Sequence, residues 1–182
     1  MYFSELSFVL LFLTLALAAI IIIPHFYGAP WYPASLKAIR RALELCEPRP
    51  GETLYDLGCG DGRVLLLGAK EFGLKGVGVE IDPIKSRLAL WRIKKAGMTN
   101  SILITRQNAI NCDVRSADII FVYLTHQALD RLLPILKTQM RLGARLVSYR
   151  YCLQGEVPDK VGGGNSIFLY RFNKGTKLNI FS

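Results

Sequence analysis

The chain of 182 residues has Lys+Arg 23 against Asp+Glu 14, a net charge of +9, and 51% hydrophobic residues. That length has room for one domain and an appendage. The basic balance suits RNA, anionic lipid or an acidic partner equally. Cys46, Cys59, Cys112 and Cys152 lack C-x-x-C spacing and companion histidines, so they read as reduced packing residues and not as a metal or disulfide framework.

Leu6 to Ile23 is 18 residues without a charge, with Ser7 and Thr14 its only polar side chains. As a helix it would span about 27 Å at ~1.5 Å per residue, just under a ~30 Å hydrocarbon core. Tyr2, Phe3, Phe26, Tyr27 and Trp31 flank it as interfacial aromatics. The expectation is a single N-terminal transmembrane helix over 6–23, with residues 1–29 as anchor and linker. A cleaved signal peptide competes with this reading through Ala16-Leu17-Ala18, but the segment before it has no Lys or Arg and carries Glu5. A buried core helix is a third possibility. Lys37, Arg40 and Arg41 follow the segment, which places the domain of residues 30–182 on the cytoplasmic side of a membrane.

Ser35 predicts the N-cap of a helix reaching Leu45 or Cys46, with Leu36, Ile39, Leu43 and Cys46 at helical spacing. Leu54 to Leu57 reads as a short buried strand. Gly58, Gly60 and Gly62 then form a turn into a helix from Arg63 to Phe72. A second strand, Val77 to Glu80, precedes a helix capped by Asp82-Pro83, with Ile84, Leu88 and Trp91 as its expected buried stripe. Its cations Lys85, Arg87, Arg92, Lys94 and Lys95 suit a solvated face or a lipid or nucleic-acid contact. Ser101 to Thr105 is strand three, followed by the loop Arg106 to Ala109. Ala117 to Tyr123 is strand four, leading through Leu124-Thr125 into a helix that Pro134 should kink or split. Ala144 to Tyr151 is strand five. Pro158 to Val161 and Ile167 to Phe172 are short final strands joined through Gly162-Gly163-Gly164-Asn165. Strands alternating with helices and a closing hairpin predict an α/β fold with a mostly parallel sheet.

The glycine turn carries the chemistry. Glycines reach dihedrals closed to other residues and let backbone approach a ligand closely. Asp56, just before the turn, offers a carboxylate to an ammonium or a hydroxyl. Glu80, 18 residues after Gly62 at a strand end, is placed to accept both hydroxyls of a ribose. The glycines read G-x-G-x-G and not G-x-G-x-x-G, and an acid before the turn would repel a pyrophosphate. The pattern suits a cationic ligand with an amino-acid end.

At these residues the chain resembles the class I, seven-strand, Rossmann-like S-adenosylmethionine-dependent methyltransferases. A narrower resemblance rests on Pro30-Trp31-Tyr32-Pro33-Ala34-Ser35, Tyr55 to Arg63, Gly78-Val79-Glu80, the Leu-Thr after strand four, Pro134 and Val147-Ser148. It is to the archaeal broad-specificity protein lysine methyltransferases and the mitochondrial lysine methyltransferase of the ATP synthase c-subunit. The resemblance implies that Asp56, Gly58 and Gly60 hold the methionine end of S-adenosylmethionine and Glu80 its ribose. Asn108 and Ala109 would border the adenine, with Trp31, Pro33 and Ser35 closing over the cofactor. Tyr123 and Thr125 would lie where methyl donor and acceptor meet. His126 is either a helix-start residue or a base. The function implied is transfer of a methyl group to a lysine of a membrane-associated protein. An RNA, lipid or small-molecule methyltransferase is the first alternative, and a non-catalytic cofactor-binding module the second. No Asn-Pro-Pro-Tyr follows strand four, which weakens the case for base or glutamine methylation.

Overall fold

In a computed structural model, which describes residues 7–16 and 32–172, the chain after residue 32 alternates helices and strands. It runs α1 (Leu36–Leu45), β1 (Thr53–Leu57), α2 (Arg63–Phe72), β2 (Lys75–Val79), α3 (Pro83–Lys95) and β3 (Ile102–Thr105). A 3-10 turn (Ala109–Asn111), β4 (Ile119–Val122), α4 (His126–Gln139), β5 (Arg145–Tyr149), β6 (Lys160–Gly162) and β7 (Ile167–Arg171) complete it. The strands form one seven-stranded sheet ordered β3-β2-β1-β4-β5-β7-β6. Strands β1 to β5 pair in parallel, and β7 runs antiparallel to β5 and β6. The expected seven-strand sheet is therefore present. Strand order reverses between β1 and β4, so the loops after these two strands flank the crevice where such sheets bind ligands.

Burial on both faces explains the apolar strand sequences. On β4, Ile119 and Phe121 join Ile39, Leu43, Leu54 and Leu65 under α1 and α2. Ile120 and Val122 point the other way and pack with Leu129, Leu132 and Leu136 of α4. Local chemistry sets the helix ends. The Ser35 hydroxyl accepts from the Ala38 N-H at 3.2 Å, and Asp82 accepts from Ile84 and Lys85 with Pro83 at the first helical position. Left-handed Gly62 and Gly73 bracket α2.

Four expectations need correction. Residues 7–16 are helical, and ten residues rise only about 15 Å, half a ~30 Å hydrocarbon core. Among the described residues no helix is long and apolar enough to cross a membrane, which overturns the transmembrane helix expected over 6–23. The apolar run meets the hydropathy of a span, but the helical residues described within it fall short of its length. The rest of that run, with the linker through Trp31, lies outside the described residues. The stripe expected on α3 is wrong too: Ile84 is 63% and Trp91 58% exposed, while Ser86, Ala89 and Ile93 are buried. The reason is close packing, since a Cβ added at Gly62 would meet the Ala89 Cβ at 3.2 Å. Only a small side chain fits at that approach. Pro134 lies inside α4 without splitting it, the helix being continuous from His126 to Gln139. Cys46, Cys59 and Cys112 are buried free thiols as expected, but Cys152 is exposed.

Candidate active site

The turn after β1 needs its glycines. Gly58, Gly60 and Gly62 have φ of +86°, +54° and +75°, a region side chains rarely enter. The turn is closed on itself: the Gly58 and Cys59 N-H groups donate to the Val79 carbonyl at 2.8 and 3.0 Å, and Gly62 donates to the Cys59 carbonyl at 2.9 Å. The Gly60 N-H donates to Glu80 Oε2 at 2.9 Å. A phosphate-binding loop instead points such donors at its ligand.

Asp56 and Glu80 make this end of the sheet negative. Asp56 is buried, 3% exposed, and its Oδ2 has no hydrogen-bond partner among the described residues. Burial, with the charges of Glu80 and Asp61 behind it, pushes its carboxyl well above the usual range. A buried carboxylate oxygen with no partner requires explanation, and a ligand ammonium would satisfy it. Both Glu80 oxygens are in use, Oε2 as above and Oε1 accepting from the Asp82 N-H at 2.9 Å. Each retains lone pairs for a hydroxyl. Cys59, between them, has its thiol pushed up by burial and then by the charge of Asp56, so it is inert. An orphaned carboxylate beside a second carboxylate fits the ammonium and ribose of S-adenosylmethionine, and it repels pyrophosphate.

Two arginines neutralise the third acid. Asp61 accepts from Arg63 Nε at 2.9 Å and Nη2 at 2.7 Å, and it is ion-paired with Arg92 of α3. Burial alone would raise its carboxyl, but the arginines more than offset that and hold it below the usual range. Arg63 Nη1 also donates to the Ala34 carbonyl at 3.1 Å, which fastens the Pro33–Ser35 segment to the glycine turn. Sequence reasoning gave Arg63 no role. Its place immediately after the last glycine was the available signal.

Of the other candidates, Trp31 lies outside the described residues. Pro33 and Ser35 are exposed, and the Ser35 hydroxyl is occupied as a cap. Exposed Asn108 caps the 3-10 turn, its Oδ1 accepting from the Ile110 N-H at 3.1 Å. This leaves its amide N-H groups and one lone pair free. Ala109 is half-buried beside it. Thr125 Oγ1 caps α4 by accepting from the Ala128 N-H at 3.4 Å, a bond that does not use its O-H donor. Leu124 covers the glycine turn: a Cβ on Gly58 would stand 3.0 Å from its Cδ2. The segment 123–125 is thereby brought against the cofactor end of β1. Half-buried Tyr123 meets Tyr149 edge to face, ring centroids 4.9 Å apart, and His126 meets Tyr151 likewise at 4.7 Å. Tyr149 and Tyr151 did not emerge from the sequence, because they read there only as strand residues.

This sheet order, the self-closed glycine turn and the two carboxylates define a class I S-adenosylmethionine-dependent methyltransferase. The family model of the ANTKMT methyltransferase domain matches residues 56–160. A protein-lysine N-methyltransferase of Saccharolobus islandicus is 35% identical over 155 residues, 81% of this chain and 94% of that protein. The adenine nucleotide translocase lysine N-methyltransferase of Mus musculus is 32% identical over 142 residues, 78% of this chain and 61% of that protein. Among solved structures, an RNA methyltransferase from Salinibacter ruber in complex with S-adenosyl-L-homocysteine superposes with a TM-score of 0.79. It is 27% identical, covering 83% of this chain and 100% of that one. The chain belongs to the family of the ANTKMT methyltransferase domain, and its cofactor is S-adenosylmethionine.

Proposed function

We propose that this methyltransferase acts on the ε-amino group of lysine in a protein substrate. The observation that carries the reading is the similarity to a protein-lysine N-methyltransferase over nearly that protein's whole length. The acceptor side agrees. Half-buried phenols line the ends of β4 and β5. An amine nucleophile needs placement and desolvation more than a strong base.

When bound, S-adenosylmethionine supplies an electrophilic methyl group on a sulfonium. Asp56 would take the α-ammonium and Glu80 the ribose hydroxyls. Asn108 and Ala109 would border the adenine, and Pro33 and Ser35, held near the turn through Arg63, would sit over it. Gly58 and Gly60 allow the close approach. Tyr123 stands at the acceptor side. Burial there favours the neutral amine of a lysine over its ammonium. RNA is the competing acceptor, favoured by the +9 charge and by the similarity to the Salinibacter RNA methyltransferase.

The test supplies methyl-labelled S-adenosylmethionine and the purified enzyme to protein and RNA fractions of cells lacking the gene. Label released as methyl-lysine on hydrolysis of the protein fraction, and absent with Asp56→Ala, is the expected result. Label in RNA with no lysine changed in mass would overturn the reading.

A further inference from the structure

Two strand ends that sequence reasoning treated separately are joined by aromatic contacts. β4 and β5 pair in parallel up to Val122 and Ser148, so Tyr123 and Tyr149 emerge side by side, 4.9 Å between ring centroids. Arg150 follows in the left-handed region, φ +70°, a conformation a non-glycine residue holds only under constraint. The constraint is visible. The Arg150 N-H donates to the Ser166 carbonyl at 2.7 Å, and the Ser148 hydroxyl donates to the Tyr151 carbonyl at 2.5 Å. This bend leaves the Arg150 side chain exposed at the same rim, where its charge acts on both the Tyr123 and Tyr149 phenols. The site adjoins the cofactor, because Leu124, next to Tyr123, covers Gly58.

We propose that the hydroxyl oxygens of Tyr123 and Tyr149 are the acceptors for the two N-H groups of the attacking lysine amine, and that Arg150 occupies them until the substrate arrives. The proposal rests on the lysine reading given above. A neutral primary amine has two N-H donors and one lone pair. Two phenol oxygens accepting both donors leave the lone pair free to point at the methyl group. As the N-C bond forms, the C-S bond breaks and the sulfur becomes a neutral thioether. The nitrogen gains the positive charge and then loses a proton to water. The phenols serve as acceptors in their neutral form. Burial raises the Tyr123 hydroxyl above its ordinary value despite the opposing Arg150 charge, so it is not a phenolate at neutral pH. Lysine and Arg150 compete for the same oxygens.

The experiment uses the full chain with poly-L-lysine as acceptor and methyl-labelled cofactor. Tyr123→Phe and Tyr149→Phe keep the ring pair and remove the oxygens. Each is expected to lower kcat/KM for poly-L-lysine about tenfold, the scale of one lost hydrogen bond. Cofactor Kd and melting temperature should stay at wild-type values. Arg150→Ala is expected to lower the KM for poly-L-lysine. Wild-type kcat/KM in both phenylalanine variants, or a raised KM in Arg150→Ala, overturns the proposal, since rings that merely pack would behave so. A second measurement is independent of the lysine reading. In protein saturated with S-adenosylhomocysteine, n-butylamine and not n-butanol should shift the Tyr123 and Tyr149 ring NMR signals. The absence of that shift overturns the amine site. A wild type that binds n-butylamine yet labels only RNA would instead overturn the lysine reading.

Discussion

Replacing Asp56 by Asn should make the protein more stable and worse at binding its cofactor. Asp56 is 3% exposed, its Oδ2 has no partner, and Glu80 and Asp61 add like charge. An uncompensated buried polar group costs about 1–3 kcal/mol, more when charged. Asn keeps the shape and removes the charge, so a gain of about 1 kcal/mol is expected. For a domain of this size that is about 2–4 °C in melting temperature. The pH dependence has a definite sign. The folded carboxyl is raised above its unfolded value, so its contribution is fully present below about pH 3.9 and is lost as pH rises through the raised folded value. Asp56→Asn should therefore match wild type in acid and exceed it near neutrality. Binding runs the other way. Losing a hydrogen bond to a charged group costs about 1.5–3 kcal/mol, or roughly 10- to 150-fold in Kd. Wild-type affinity should also rise with pH as Asp56 ionises, and the Asn variant should lack that rise. Differential scanning calorimetry and isothermal titration calorimetry across pH 5–8 measure both. An Asp56→Asn variant that melts lower than wild type and binds S-adenosylmethionine equally well would refute the reasoning.

Glu80→Ala should lower both quantities, because it strands the Gly60 and Asp82 N-H groups at about 1–3 kcal/mol; calorimetry on the same series separates it from Asp56. Gly78→Ala should destabilise by about 1–3 kcal/mol by over-packing, since its Cβ would fall 2.5 Å from Ile104 Cδ1, 2.7 Å from Leu65 Cδ1 and 2.8 Å from Cys59 Sγ; urea unfolding measures it. Asp61 is held below its usual range by Arg63 and Arg92, so the stability it confers is present above its unfolded value and is lost as pH falls through the folded one. Asp61→Asn should flatten the acid side of a plot of melting temperature against pH, and an unchanged acid limb would count against the ion pairs.

What the sequence displayed well was chemistry confined to a few neighbouring residues. Ser35 and Asp82 cap helices as read, α2 spans the expected Arg63–Phe72, and all three turn glycines are left-handed. Each of these depends on local dihedrals and on one side chain reaching its own backbone. Properties that depend on a distant partner were not legible. Which face of α3 is buried is decided by Gly62 on another helix. The helical spacing of Ile84, Leu88 and Trp91 therefore pointed the wrong way. Glu80 was read as a ribose ligand. That it also ties Gly60 to Asp82 requires knowing that β1 and β2 are neighbours. The Arg63 bond to Ala34 spans 29 positions, beyond any local pattern. The apolar run at 6–23 has the hydropathy of a span, whereas the helix described within it covers residues 7–16.

The two acids of the site illustrate how one cofactor pocket divides its costs. Each Glu80 oxygen accepts from a backbone N-H, and these bonds give the turn its shape. Asp56 is left with an unpartnered oxygen in the same fold, so part of its environment is completed only by a cation. A protein that satisfied Asp56 internally, as Asp61 is satisfied by Arg63 and Arg92, would be more stable and would have little to offer an ammonium. The contrast between neighbouring carboxylates, one paired by arginines and one orphaned, is what the role proposed for Asp56 toward the ammonium rests on. On the acceptor side the logic is reversed. In the proposed exchange Arg150 gives up the Tyr123 and Tyr149 phenols to the substrate, and because that cation is exposed its displacement costs little.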